Sequence, residues 1–219
     1  MTPTFKNISV ITALAVLAFF TFLMLRIVIP YRTLETDIAF LQLKQAFIHI
    51  DVWRISFFIH VFTSTLVLFA GFTQFSKKLL KNKPKLHRRL GYIYVGNILL
   101  ITGPSGLIMS FYANGGILSI IGFIILSILW MSTTGIALYK AINKDFIGHR
   151  MFMIRSFALT LSAISLRAEK VLFAEFTDIA PMDRYRIIAW LGWGLNLLIA
   201  EIIIYNLRKK KKALKLSVA

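Results

Sequence analysis

Four histidines are the residues of this chain best suited to specialised chemistry, because its 219 residues include no cysteine. The missing thiols exclude disulfides, thiolate-bound zinc, iron–sulfur clusters and cysteine nucleophiles. No two histidines have the His-x-x-x-His spacing of a helical zinc site, and no nucleophile–base–acid set is readable, so hydrolytic chemistry is not predicted. A neutral imidazole can still ligate haem iron. The function therefore depends on which elements bring the histidines together.

The elements that position the histidines are membrane-spanning helices. Hydrophobic residues make up 58% of the chain and charged residues only 16%, whereas a soluble domain has about a quarter charged residues. Runs of about twenty apolar residues are long enough to cross a bilayer. The sequence predicts an all-α integral membrane protein, a single domain over 1–219 with six transmembrane helices. These spans lie near 10–29, 55–75, 90–112, 117–139, 151–172 and 187–207.

The distribution of basic residues predicts the orientation. Most of the 26 Lys and Arg residues lie in the segment before the third span, in the link between the fourth and fifth spans, and in the basic tail 208–219. By the positive-inside rule, both termini are cytoplasmic. The net charge of +17 is then explained by membrane insertion and by contact with anionic lipid headgroups, and no nucleic-acid partner is predicted.

The longest external segment, 31–54, lies between the first two spans. Its apolar positions recur at helical spacing, which predicts a short amphipathic helix lying on the outer leaflet. These positions are Ile38, Leu41, Gln45, Ile48 and Val52. No segment outside the spans is large enough to hold an active site of its own, so any site must lie among the helices.

Two histidines occupy matching positions at the cytoplasmic side. His87 opens the third span and His149 opens the fifth, each on a stripe of small and polar residues. Two imidazoles at equal depth on neighbouring helices suit the axial ligation of a haem b. Neighbouring cations would meet the propionates, and a glycine would leave room for the macrocycle. These residues are Arg88, Arg89, Arg150 and Gly91.

The remaining polar residues of the spans have alternative interpretations. His60, in the outer part of the second span, could bind a second cofactor, but a hydrogen bond to Asp51, Glu169 or a hydroxyl is the preferred reading. Small and hydroxyl residues on the stripes also favour close helix packing without any ligand. Arg155 and Glu201 lie at similar depths on antiparallel spans, which predicts a structural ion pair.

Several sequence motifs resemble a known family. Taken in order, they are similar to the bacterial membrane family catalogued as domain of unknown function 2306, which implies a multi-pass protein of the bacterial cytoplasmic (inner) membrane without an assigned activity. The motifs are HVFTS at 60–64, AGFTQFS at 70–76, LHRRLGYIY at 86–94, GPSG at 103–106, FYANGG at 111–116 and HRMFMIRSFALT at 149–160.

A looser resemblance connects the histidines to the ascorbate-dependent transmembrane b-type cytochromes. Those six-helix proteins bind a cytoplasmic-side haem between histidines of the third and fifth helices, the positions of His87 and His149. Their second haem is bound between histidines of the second and fourth helices. Here His60 matches the second helix, but the fourth span has no histidine, so the resemblance implies the cytoplasmic-side haem alone.

Three functional hypotheses follow from these patterns. The first is a haem-b membrane protein that transfers electrons or acts as an oxidoreductase, with an electron donor, an electron acceptor or a quinone as its partner. The second is a non-enzymatic binding or transport protein whose polar stripes line a cavity, with Gln74 and Arg167 as polar contacts at opposite ends. The third is a structural membrane subunit. An absorption spectrum distinguishes the first from the others.

Overall fold

The chain forms an all-helical bundle in the computed structural model, which describes residues 3–216 apart from the side chains of 3–11, 13, 14, 17, 77 and 211–216. Within that range the α-helices are α1 (Pro3–Val28), α2 (Asp51–Gln74), α3 (Lys77–Asn82), α4 (Pro84–Asn97), α5 (Gly103–Ser110), α6 (Ile117–Ile142), α7 (Phe146–Thr160), α8 (Ser162–Phe176) and α9 (Pro181–Leu216).

The described chain contains five helical segments that are long and apolar enough to cross a membrane. They coincide with the second to sixth predicted spans, and the protein is therefore a multi-pass membrane protein. The segments are Asp51–Gln74, Pro84–Ser110, Ile117–Ile142, Phe146–Phe176 and Pro181–Lys210. The first predicted span, 10–29, falls within α1, where many side chains lie outside the description, and its role as a sixth span stays a prediction.

The third span is interrupted in its middle. α4 ends at Asn97, residues Ile98–Thr102 form a π-helix, and α5 begins at Gly103. Pro104 has no backbone N–H to continue the ladder of helical hydrogen bonds, and such a residue commonly accompanies a break of this kind. At Gly103 a Cβ atom would collide with the carbonyl oxygen of Ile98, so the tight π-turn requires glycine.

The segment between α1 and α2 corrects one prediction. It does not form a single amphipathic α-helix on the outer leaflet, but two 3₁₀ helices, Ile29–Thr33 and Ala39–Lys44. Its apolar residues pack on the start of α2 instead of on lipid, because a folded-back segment can bury them against aromatic side chains of the bundle. Val52, the last of the predicted positions, belongs to α2, which begins at Asp51, and it is 61% exposed. The buried residues of this contact are Tyr31, Leu41, Trp53 and Phe57.

A buried lysine fastens this segment to the turn between α5 and α6. Lys44 is 3% exposed and donates hydrogen bonds to the carbonyl oxygen of Tyr112 and, at 2.6 Å, to Oδ1 of Asn114. Its ammonium group also lies 5.6 and 5.5 Å from the ring centres of Phe40 and Phe47. Burial lowers the pKa of Lys44 to about 8. We call residues 29–50 and the turn 111–116 the distal cap.

The opposite end of the bundle carries the exposed cations. We define the basic end as residues 77–89, the α6–α7 turn 140–150, and residues 208–210. Asp145 starts α7 there by accepting a 2.9 Å hydrogen bond from the backbone N–H of Gly148, and it also pairs with Lys140 at 3.0 Å. The α6–α7 turn is therefore held closely, and α6 and α7 pack against each other along most of their length.

A buried hydrogen-bond network joins three helices at the centre of the bundle. The hydroxyl of Tyr94 on α4 lies 2.8 Å from Oγ of Ser156 and 2.9 Å from Oγ1 of Thr160, both on α7. From α6, Trp130 donates to Thr160 at 2.9 Å and Thr134 lies 2.7 Å from Ser156. Because lipid offers these groups no alternative partners, the network specifies how α4, α6 and α7 face one another.

Candidate functional site

The histidine pair lies at the basic end, where His87 and His149 occupy the first turns of α4 and α7. Both side chains are half-buried, and their imidazoles lie close enough for their charges to interact. Tyr94 and Ser156 stand seven residues further along each helix, and residues seven apart share a helix face. Their 2.8 Å hydrogen bond therefore sets the histidine-bearing faces of the two helices toward each other.

The ring of His149 is held in one orientation. Its Nδ1 lies 2.8 Å from the main-chain carbonyl oxygen of Ala137 on α6. Because a carbonyl oxygen only accepts, Nδ1 carries the proton and the lone pair of the neutral ring is on Nε2. This second-sphere arrangement is common for histidines that ligate a metal, since the carbonyl orients the ring and makes Nε2 more basic.

The ring of His87 is incompletely satisfied. Its Nδ1 is buried and has no hydrogen-bond partner among the described residues. Only the main chain of His87 is engaged nearby, since its carbonyl oxygen lies 3.5 Å from Nε2 of Gln74 on α2. Buried polar atoms without a partner are rare in folded proteins, and each one asks for an explanation. The Nδ1 atom of His87 is therefore available to a partner outside the described residues.

The three arginines predicted beside the histidines are exposed at the basic end. In the part of the chain that the structure describes, none of them has a carboxylate within ion-pair distance. Arg89 also lines an open cleft of about 430 Å³, together with residues 82–86. The predicted cations adjoin the histidines in the sequence, and the cleft that Arg89 lines includes neither histidine. These cations are Arg88, Arg89 and Arg150.

Gly91 has a packing role in the structure. A Cβ atom at this position would lie 3.1 Å from Oε1 of Gln74, so the glycine lets α2 approach α4 closely. The space beside Gly91 is thus taken by an amide side chain. Its predicted role, to leave room for a macrocycle, stays a prediction.

His60 lies in a different setting. It is on α2, and its ring reaches the third span at Thr102, about two-thirds of the way along that span from His87. Its Nδ1 donates a 3.0 Å hydrogen bond to the main-chain carbonyl of Thr102, at the end of the π-helix. Neither Asp51 nor Glu169 is its partner. Asn97 and Thr63 complete the surrounding polar contacts, since Nδ2 of Asn97 donates to the carbonyl of Thr63 at 3.2 Å. Sequence reasoning missed Asn97, although a lone amide within a span was a visible signal.

Arg155 and Glu201 are brought together by the structure. Nε and Nη2 of Arg155 lie 2.5 and 2.8 Å from the two carboxylate oxygens of Glu201, a bidentate contact between α7 and α9. The Arg155 guanidinium also lies 4.9 Å from the ring centre of Phe152. The pair is at the surface of the bundle, with 47% of the Glu201 side chain exposed. Its assignment as structural remains a prediction.

Two histidines do not make a complete site for a simple metal ion. Among the described residues, no group of three or more His, Asp or Glu side chains is placed to hold a metal. A haem iron differs, because four of its six ligands come from the porphyrin and the protein adds two at most. The donor set of the basic end therefore matches a haem better than a bare ion.

These features define the class of the protein: a multi-pass helical membrane protein. The chain belongs to the family of predicted membrane proteins named DUF2306, whose model matches residues 57–204. That range contains His60, His87, His149 and the Arg155–Glu201 pair. No curated protein and no solved structure matches the chain.

Proposed function

We propose that this protein is a membrane-embedded b-type haem protein in which His87 and His149 are the two axial ligands of the iron, and that it transfers electrons. The observation that supports the proposal is the Tyr94–Ser156 hydrogen bond, which joins α4 and α7 two turns deeper on the helix faces that carry His87 and His149. Haem, when bound, would supply reversible one-electron redox chemistry.

Each histidine has a distinct part in this proposal. The carbonyl of Ala137 fixes the tautomer of His149 and leaves its Nε2 as a lone-pair donor toward the iron. His87 has a buried ring nitrogen without a partner, which is expected of a side chain whose neighbour is a prosthetic group.

The basic residues next to the pair would hold the carboxylates of the haem. Arg88, Arg89 and Arg150 lack carboxylate partners among the described side chains, and an Arg–carboxylate contact is charge-assisted and often bidentate. By the positive-inside rule this end faces the cytoplasm, and family membership suggests the bacterial inner membrane. The electron partner is then a cytoplasmic reductant or oxidant, or a quinone dissolved in the bilayer.

The absorption spectrum of the full chain tests the proposal. Protein purified in detergent from haem-replete cells should show a Soret band, together with a reversible change on reduction by dithionite. His149→Ala should abolish the band, and added imidazole should restore part of it by replacing the missing ligand. His49→Ala is the matched control, since His49 is exposed in the distal cap and should leave the spectrum unchanged.

A colourless, monodisperse preparation from haem-replete cells would refute haem binding. Rescue by imidazole separates ligation from folding, because a misfolded variant gains no Soret band from a free ligand. A stable Soret band in both His149→Ala and His87→Ala would likewise contradict the assignment of the ligands.

A further inference from the structure

A charged face on α9 lies at the basic end, separate from the histidine pair. Glu201, Tyr205 and Arg208 are spaced four and three residues apart, so they share one face of this helix. All three side chains are exposed at the surface of the bundle. Arg155 reaches this face from α7 through its contact with Glu201. We call these four residues the α7–α9 face.

The acidic member of the α7–α9 face is already neutralised. Arg155 engages both carboxylate oxygens of Glu201, at 2.5 and 2.8 Å, in the bidentate arrangement that Arg and carboxylate prefer. Phe152 lies against the guanidinium on its other side. Arg208 also lies close enough to attract this carboxylate, but one carboxylate cannot neutralise two guanidinium groups.

Arg208, in contrast, has no adequate partner. Its Nε lies 3.4 Å from Sδ of Met151, and a thioether is a weak, neutral acceptor. No carboxylate in the described part of the chain is within ion-pair distance of Arg208. A guanidinium offers five N–H donors, so most of its hydrogen-bonding capacity is unused. The face thus has one surplus positive charge, followed in the sequence by Lys209 and Lys210.

The order of residues along the face matches the order of groups in a phospholipid. Leu198 and Ile202, deeper in the membrane, are 58% and 53% exposed and offer apolar surface to an acyl chain. Tyr205 is 66% exposed at the level where tyrosine commonly meets lipid headgroups. Arg208 lies about 10 Å along the axis from Glu201, which is the level of the phosphate.

We propose that the α7–α9 face binds one anionic phospholipid of the leaflet at the basic end, with its phosphate on the guanidinium of Arg208 and its ester region beside the phenol of Tyr205. The charge of the face selects the lipid. A headgroup with net negative charge compensates Arg208, whereas a zwitterionic choline headgroup would place an ammonium group against it. This inference is independent of haem binding.

Native mass spectrometry of the full chain tests this site. Wild-type protein in detergent, offered equal amounts of phosphatidylglycerol and phosphatidylcholine, should retain one phosphatidylglycerol preferentially. Arg208→Gln should lower that retention about fivefold, the effect of one basic residue at an anionic membrane surface. Lys209→Gln removes the same charge one residue away, on a different side of the helix, and should change retention by less than half as much.

Thermal unfolding gives a second readout. Phosphatidylglycerol should raise the melting temperature of the wild type and of Lys209→Gln, but not that of Arg208→Gln, because a ligand stabilises only the state that binds it. Equal losses for both variants, or equal retention of both lipids by the wild type, would overturn the proposal. Displacement of the lipid by inorganic phosphate would also overturn it, since the site would then recognise phosphate without a lipid.

Discussion

The two histidine regions of the bundle differ in how completely the polypeptide satisfies them. At His60 the chain supplies a carbonyl partner from the π-helix, and Gly106 packs against the ring, where a Cβ would lie 2.9 Å from Cε1. At the basic end the chain supplies one hydrogen bond to His149 and none to the buried Nδ1 of His87. His60 and His149 are thus held alike, by one carbonyl each, and the two regions differ at His87, whose Nδ1 has no partner among the described residues.

The largest expected effect is the response of bound haem to histidine substitution in the two regions. His87→Ala should remove essentially all haem from the purified protein, because a low-spin haem held by two histidines loses an axial ligand. His60→Ala should leave the haem content per mole of protein unchanged, since its ring is already bonded to Thr102. The pyridine haemochrome assay measures this content. Loss of haem in His60→Ala would place the cofactor at the other region.

The second effect compares Gly71, which packs against the central rings of Phe157 and Tyr94, with Gly106, which packs against His60. At Gly71 a Cβ would lie 2.5 Å from the Phe157 ring and 3.0 Å from the Tyr94 ring, so Gly71→Ala should lower the free energy of unfolding by about 2 to 3 kcal/mol. Gly106→Ala should cost less, about 1 to 2 kcal/mol, because the ring of His60 can shift once its hydrogen bond breaks. Denaturation in mixed detergent micelles measures both.

The control for these substitutions is Gly96→Ala on α4, where nothing lies within 4 Å of the added Cβ. This variant should be neutral or slightly stabilising, because alanine is the better helix former. If Gly96→Ala destabilises the protein as much as Gly71→Ala, close packing is not the reason for the glycine in α2.

The third effect is the pH dependence of the unfolding free energy, which should differ between a buried lysine of the distal cap, Lys44, and an exposed lysine of the basic end, Lys85. Burial lowers the pKa of Lys44 to about 8, below its value in the unfolded chain, so the penalty for the buried ammonium is fully present below pH 8. Stability should therefore rise as the pH increases from about 8 toward the unfolded-state pKa of about 10.5, by at most about 1.4 kcal/mol per pH unit.

The measurement is the slope of unfolding free energy against pH for the wild type, for Lys44→Met and for Lys85→Met. Lys44→Met should lose the rise, whereas Lys85→Met should keep it, because Lys85 is exposed at the basic end. Equal slopes for the wild type and Lys44→Met would show that the lysine of the distal cap does not titrate in this range.

The smallest effect concerns the network that lies between the two regions. Tyr94→Phe removes the hydroxyl that meets Ser156 and Thr160, and hydrogen bonds between membrane helices contribute about 1 kcal/mol. The same change should broaden the Soret band of a haem-loaded sample, since the facing of α4 and α7 is less restrained. Tyr92→Phe, on the exposed side of α4, should change neither property.

The sequence singled out the histidines but not their hydrogen-bond partners. Equal depth on the third and fifth spans is the reason for pairing His87 with His149, because position along a helix converts directly into depth in the membrane, and this pairing as a site stays a prediction. The hydrogen bond from His60 to a carbonyl was not predictable, since it depends on the π-helix that opens at Ile98–Thr102. Main-chain acceptors freed by a local break leave no signal in residue type.

The sequence by itself determined that this is a helical membrane protein, where five of its described spans lie, and which end carries the basic residues, because those properties follow from hydropathy and charge read locally along the chain. Only the tertiary structure decided that residues 29–50 fold back onto α2 around Lys44, that Gln74 fills the space beside Gly91, and that Arg208 lies beyond ion-pair distance of every carboxylate among the described residues. Each of these depends on side chains far apart in sequence meeting at fixed distances, and helical periodicity states which face a residue occupies but not what that face meets.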